Sequence, residues 1–248
     1  MVAVSDRKLI QLLYKYGHFR NDDRTVTELA KLSLKDESVV TAIASYQEFH
    51  SEALEQLSFK HHFRTHMVDG DVGPATRELL SLPRCGCSDF GPTGTGSWPK
   101  NCFGLGPNHH FVMQHDERNL PAWVPARTIF PIVIAAYLDV GLHMSWSKRP
   151  GQYHTLISYT SLRGPIGLAT VPSRPNCNTR IWAKFERSYK PKDVINIWAR
   201  LYAHELGHNM GLQHTRGGIM NASLIGGKFT TTAWRNDPSW NTLRRFFS

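Results

Sequence analysis

The stretch HELGHNMGLQH at residues 204–214 constrains this chain more than any other. His204 and His208 stand four residues apart, so a helix places both imidazoles on one face, about one turn from each other. Two imidazoles so placed grip one metal ion. The same turn cannot supply a third ligand at the right angle, but Gly211 permits a sharp backbone break that swings His214 back toward the ion. Three neutral imidazoles leave one tetrahedral position open, the arrangement of a catalytic zinc site. In such a site zinc lowers the pKa of a water to about 7 and acts as a Lewis acid on a carbonyl. Glu205 then has the role of general base rather than ligand, taking the water proton and passing it to the leaving amine. The plain alternative is a surface helix with solvated histidines, since the chain holds 13 His. Against it, this composition would yield the full HExxHxxGxxH pattern by chance in about one in ten thousand such chains.

The surroundings fit a helix set against strands. PKDVINIWARLYAHELGH carries Pro191 and Asp193 in its first turn, and Gly211 marks its end. Upstream, HHFVMQHD (109–116), LHMSWS (142–147), HTLISYTSL (154–162) and TRIWAKFE (179–186) are rich in β-branched and aromatic residues and read as strands. ARTIFPIVIAAYLDV (126–140) reads as a buried helix despite Pro131, and DPSWNTLRRFF as a final helix packed on the domain. Strands followed by one long helix predict an α/β layer domain.

The first part differs. SDRKLIQLLYKY (5–16, with Ser5 as N-cap), TVTELAKLSL (25–34) and KDESVVTAIASYQEFH (35–50, opened by Asp36 or Ser38) have helical spacing. VDGDVGPATRELL (68–80) is a Gly/Asp turn feeding another helix, and residues 88–107 hold five Gly and three Pro, the composition of a linker or exposed loop. Charge divides along the same line: residues 1–99 carry a net −2 and residues 100–248 a net +11. That basic field favours acidic substrates, anionic cell surfaces or nucleic acid, or serves solubility alone; no nucleic-acid-binding signature is present. The longest apolar run, IFPIVIAAYL (129–138), is too short to span a bilayer, and MVAVSDRKLI lacks the features of a secretory signal.

HELGHNMGLQH resembles the zinc signature of the metzincin metalloendopeptidases, and GGIMNAS (217–223) resembles their methionine turn, with Met220 in the matching place. Thr215 after the third histidine is most like the matrixins, the matrix-metalloproteinase family. PRCGCSDF (83–90) is similar to the matrixin cysteine switch, matching at Pro83, Arg84, Cys85, Gly86 and Asp89. The resemblance implies that Cys85 fills the fourth zinc position in a latent zymogen, with Arg84 and Asp89 paired to hold its loop. The alternative is that Cys85 belongs to a disulfide with Cys102 or Cys177. VDGDVGPATRELL, following the helix at 36–50, resembles peptidoglycan-binding-like domains, a module matrixin propeptides commonly carry.

These readings predict a helical pro-domain (1–87), a linker (88–107) and a metzincin-like α/β (α+β) zinc metallopeptidase domain (108–248) with a mixed twisted sheet. The expected activity is hydrolysis of protein or peptide substrates by a protease with one catalytic Zn2+ ion. Because residues 162–180 contain no His, Asp or Glu, the structural zinc and calcium usual in matrixins are not expected. Two other classes stay open: a cell-wall-directed hydrolase or particle component that binds peptidoglycan, and a non-catalytic protein with a structural zinc. An extracellular or particle-associated location is expected.

Overall fold

The structure is a computed structural model that describes residues 4–60, 68–82, 84–85, 88–90, 110–115, 124–147, 155–159, 167–169, 179–183, 191–222 and 235–247. Cys87, Cys102 and Cys177 therefore lie outside the described residues, as do Pro83, Gly86 and His61, His62 and His109.

The described residues of 4–82 hold five helices: α1 (Asp6–Lys15), α2 (Val26–Leu29), α3 (Glu37–Phe49), α4 (Ser51–Lys60) and α5 (Pro74–Ser81). Ser5 caps α1 by accepting from the Lys8 amide. Gly17, at φ +84°, lets the chain reverse after α1, and the His18 amide donates back to Leu13 O. The helix expected over 25–34 is only one turn. Thr25 and Glu28 form a capping box at its start, but Lys31 and Leu32 already bond three residues back, and the Asp36 carboxylate takes the Ser33 amide into a turn. Asp36 is the N-cap residue of α3. α4 was not foreseen; it follows His50, whose φ of −104° breaks α3. Gln47 ties the turn before α5, accepting from the Asp69 and Gly70 amides and donating to Asp71 O. Leu9, Leu13, Leu29, Ile43, Tyr46, Leu54 and Leu79 build one apolar core among these helices.

A second core lies in the remainder. Its sheet runs β2-β1-β3-β5-β4, where β1 is His110–His115, β2 His143–Ser147, β3 Thr155–Tyr159, β4 Gly167–Ala169 and β5 Thr179–Ala183. Four strands are mutually parallel, and β4 pairs antiparallel with β5. The expected strands are present, and β4 is added within residues 162–180, where no further element was expected. The parallel step from β1 to β2 is carried by α6 (Ala126–Leu138), as parallel pairing requires a crossover. Pro131 sits on the exposed side of α6, where water can serve the Arg127 carbonyl it leaves without a partner. α7 (Pro191–Asn209) packs on α6, β4 and β5. The final helix α8 (Pro238–Phe247) buries Trp240 and Leu243, and the Trp240 indole donates to Ala136 O at 3.0 Å. The whole is a mixed α and β protein. Among the described residues, no helix is long and apolar enough to cross a membrane.

Candidate metal centre

α7 is buried where it matters: His204 and Glu205 are fully buried and His208 nearly so. The helix ends at Asn209. Gly211 (φ +84°) then reverses the chain, with the Leu212 amide donating to Gly207 O at 2.9 Å. This return brings His214 back against His204 and His208, so the three Nε2 atoms lie 3.1–3.2 Å from one another.

Those short approaches are not hydrogen bonds. His204 Nδ1 faces Ile219 O at 2.8 Å, His208 Nδ1 faces Leu212 O at 2.8 Å, and His214 Nδ1 faces Asp89 Oδ1 at 3.0 Å. A carbonyl or carboxylate oxygen only accepts, which assigns the single proton of each neutral ring to Nδ1. Burial keeps two of the rings neutral: it pushes His204 well below the usual histidine range and His214 down to about 4. Three lone pairs thus converge on one point, an arrangement that repels itself unless a cation occupies the centre. A zinc ion with Zn–N near 2.05 Å and Zn–S near 2.3 Å would set ligand nitrogens ~3.3 Å apart and sulfur ~3.6 Å from nitrogen. Cys85 carries a thiol rather than half of a disulfide, and its Sγ lies 3.6 Å from His208 Nε2. Cys85, His204, His208 and His214 form a buried group whose ligand atoms all lie within 4.8 Å. The set fits zinc in tetrahedral coordination.

Met220 is fully buried beneath this group; a methyl on Gly207 would overlap its sulfur, so Met220 packs on α7 between the two helical histidines. Its turn is fixed at several points. The Thr215 amide donates to Met220 O, Arg200 donates to Gly218 O, and Asp237 accepts from the Ile219 amide at 2.6 Å. Asp237 also caps α8 through the Ser239 amide, so the last helix and the ligand His204 are joined through one residue, Ile219.

Glu205 lies against β4, since a methyl on Gly167 would overlap its Oε1. Cys85 is held on both sides there, by a parallel bridge to Gly167 and by its amide donating to Ala222 O at 3.1 Å.

Arg84 and Asp89 are both buried and paired through a direct hydrogen bond from Arg84 Nη2 to Oδ1. The guanidinium stacks over Tyr16, 3.8 Å from the ring centroid. Two residues the sequence did not single out complete the node. His18 Nε2 and His50 Nε2 each lie 2.9 Å from Asp89 Oδ2. Burial alone would raise the Asp89 pKa, but Arg84 beside it and N–H donation from His18, His214 and His50 hold it well below the usual carboxylate range. Burial lowers His18, and brings His50 down to about 4. His18, His50 and Asp89 also have ligand-like spacing; Arg84 Nη1, 3.1 Å from His50 Nε2, already supplies the positive charge there. No isolated motif announces His18 or His50: each is one histidine with no partnering spacing. Comparison of the sequence with protein-family models and with curated proteins returns no match.

Proposed function

We propose that the chain is a latent zinc-dependent metalloendopeptidase of matrixin-like, metzincin-type architecture, its residues 1–87 forming a pro-domain and Cys85 closing the metal site. The observation that carries this reading is the convergence of three Nε2 lone pairs and one thiol sulfur at zinc-ligand spacing, with the Glu205 carboxylate buried beside them. A structural zinc site needs no such carboxylate, and it closes its fourth position with a permanent ligand. Here the fourth ligand comes from a distant segment.

His204, His208 and His214 would hold the ion. Zinc, when bound, supplies acidity to a water and Lewis acidity to a carbonyl oxygen. Glu205 accepts the water proton and delivers it to the departing amine nitrogen. β4 ends the described sheet, so its backbone offers an edge along which an extended peptide can pair, with Gly167 placing the peptide close to Glu205. In the latent chain Cys85 takes that place on β4.

The test uses intact chain, reduced and zinc-replete, and follows cleavage of an unfolded protein before and after a mercurial thiol reagent. Cleavage should appear only after the reagent, vanish with a chelator, and be lost in Glu205→Gln while one zinc per chain is retained. No cleavage by the opened wild-type chain with zinc bound would refute the proposal and favour a structural zinc or a wall-directed role, the latter then read by sedimentation with peptidoglycan.

A further inference from the structure

The three histidine ligands are not supported alike. His204 and His208 donate their Nδ1 protons to backbone carbonyls, Ile219 O and Leu212 O, that lie within a few residues of the ligands themselves. These partners stay with the site whatever the upstream segment does. His214 instead donates to the Asp89 carboxylate, on the segment that carries Cys85 and 125 residues away in sequence.

We propose that Asp89 is a positioning residue for the metal, an outer-sphere carboxylate for His214, so that the pro-segment loads and retains zinc as well as blocking it. The inference rests on the zinc reading above. Asp89 suits the task because it is held in place from four directions, by Arg84, His18, His50 and His214, and is only 2% exposed. A carboxylate on Nδ1–H fixes the tautomer that presents Nε2 to the ion, orients the ring and makes the nitrogen a stronger donor. The segment therefore contributes twice to the metal: a sulfur directly, and a carboxylate through His214. When it leaves, both are lost together, and the opened site holds zinc less tightly than loss of the sulfur alone would dictate.

A double-mutant cycle in the full chain separates the two contributions. Zinc affinity is measured by competition with a chromogenic chelator for wild type, Cys85→Ser, Asp89→Asn and the double variant. Loss of an outer-sphere partner should weaken zinc about 10- to 100-fold, and Asp89→Asn should do so in the Cys85→Ser background as well. If Asp89 acts only by keeping Cys85 docked, its substitution will have no effect once the sulfur is gone, and the inference fails. A second measurement needs no variant. In zinc-loaded wild type, NMR of the imidazole N–H groups should show His214 Nδ1–H protected from exchange and shifted downfield. Opening with the thiol reagent should abolish that signal and leave those of His204 and His208. Survival of all three signals overturns the inference. Failure of wild type to bind zinc tightly would instead overturn the metal reading itself.

Discussion

Acidification should open the latch, and His50 sets the scale. Its ring faces Asp89 and Arg84, with His18 beyond, and packs against Tyr46 and Phe49. With Nε2–H donated to Asp89, its Nδ1 is buried and has no hydrogen-bond partner among the described residues. A second proton would place an unsatisfied N–H and a second positive charge beside Arg84. Burial first, and then the Arg84 charge, hold the ring neutral against the opposing pull of Asp89, with a pKa of about 4 against 6.5 for ordinary histidine. The docked pKa is the lower one, so this contribution is complete above pH 6.5, declines as pH falls and levels off below about 4. At pH 5 the two pKa values set a ceiling on the weakening of docking of about 30-fold, or about 2 kcal/mol, reached when undocking returns the ring fully to water, and His18 shifts in the same direction. The assay is the labelling rate of Cys85 by a thiol reagent, quantified on its own peptide by mass spectrometry. His50→Gln keeps an N–H donor near Asp89 but cannot titrate. Because it shares the zinc ligands and the thiol, the ratio of wild-type to His50→Gln labelling cancels their own pH dependence. That ratio should rise from pH 7.5 to pH 5, by up to about 30-fold. A ratio constant within about twofold would refute the reasoning, because the two proteins differ only in the titrating ring.

Other substitutions address separate parts of the site. Cys85→Ser should give the intact chain activity without a thiol reagent; an unchanged basal rate would remove the sulfur from the explanation of latency. Gly167→Ala pushes a methyl into Glu205 Oε1 and Leu201 Cδ1, and a carboxylate displaced by about 1 Å should cost the opened chain up to about 100-fold in kcat with zinc retained. Met220→Ala leaves a cavity beneath α7 and should lower stability by about 2–5 kcal/mol in a denaturant titration, with the zinc ligands intact.

The helical ligand pair and the Gly211 stop were legible because each depends on a local rule, the 3.6-residue period and the φ > 0 requirement, whereas Cys85 stood out only through the resemblance of PRCGCSDF to a cysteine switch. The elements that escaped notice depend on distance. β4 is three residues, too few for any alternation to register, and acquires its identity from pairing with β5. α4 begins straight after α3 with no Gly or Pro between them to mark the boundary, only the bent backbone of His50. His18 and His50 matter only because α1 and α3 deliver them to the same carboxylate, 71 and 39 positions away. The charge contrast between the halves has a visible counterpart in the Arg216–Glu48 pair at 2.8 Å, but both side chains are more than half exposed, so it adds little.

The ligands are also ordered along the chain in a way that matters during synthesis. The helical core around Leu13, Ile43 and Leu79 is complete by residue 82, and small helical domains fold within about milliseconds. His214 is made 129 residues after Cys85, which at 5–20 residues per second is a delay of ~6–26 s. The helices that carry His18 and His50 therefore have time to fold before the last histidine is made. On the proposed reading, Cys85 is made before any of the three histidines, so the closing ligand is already present when the metal centre can first assemble.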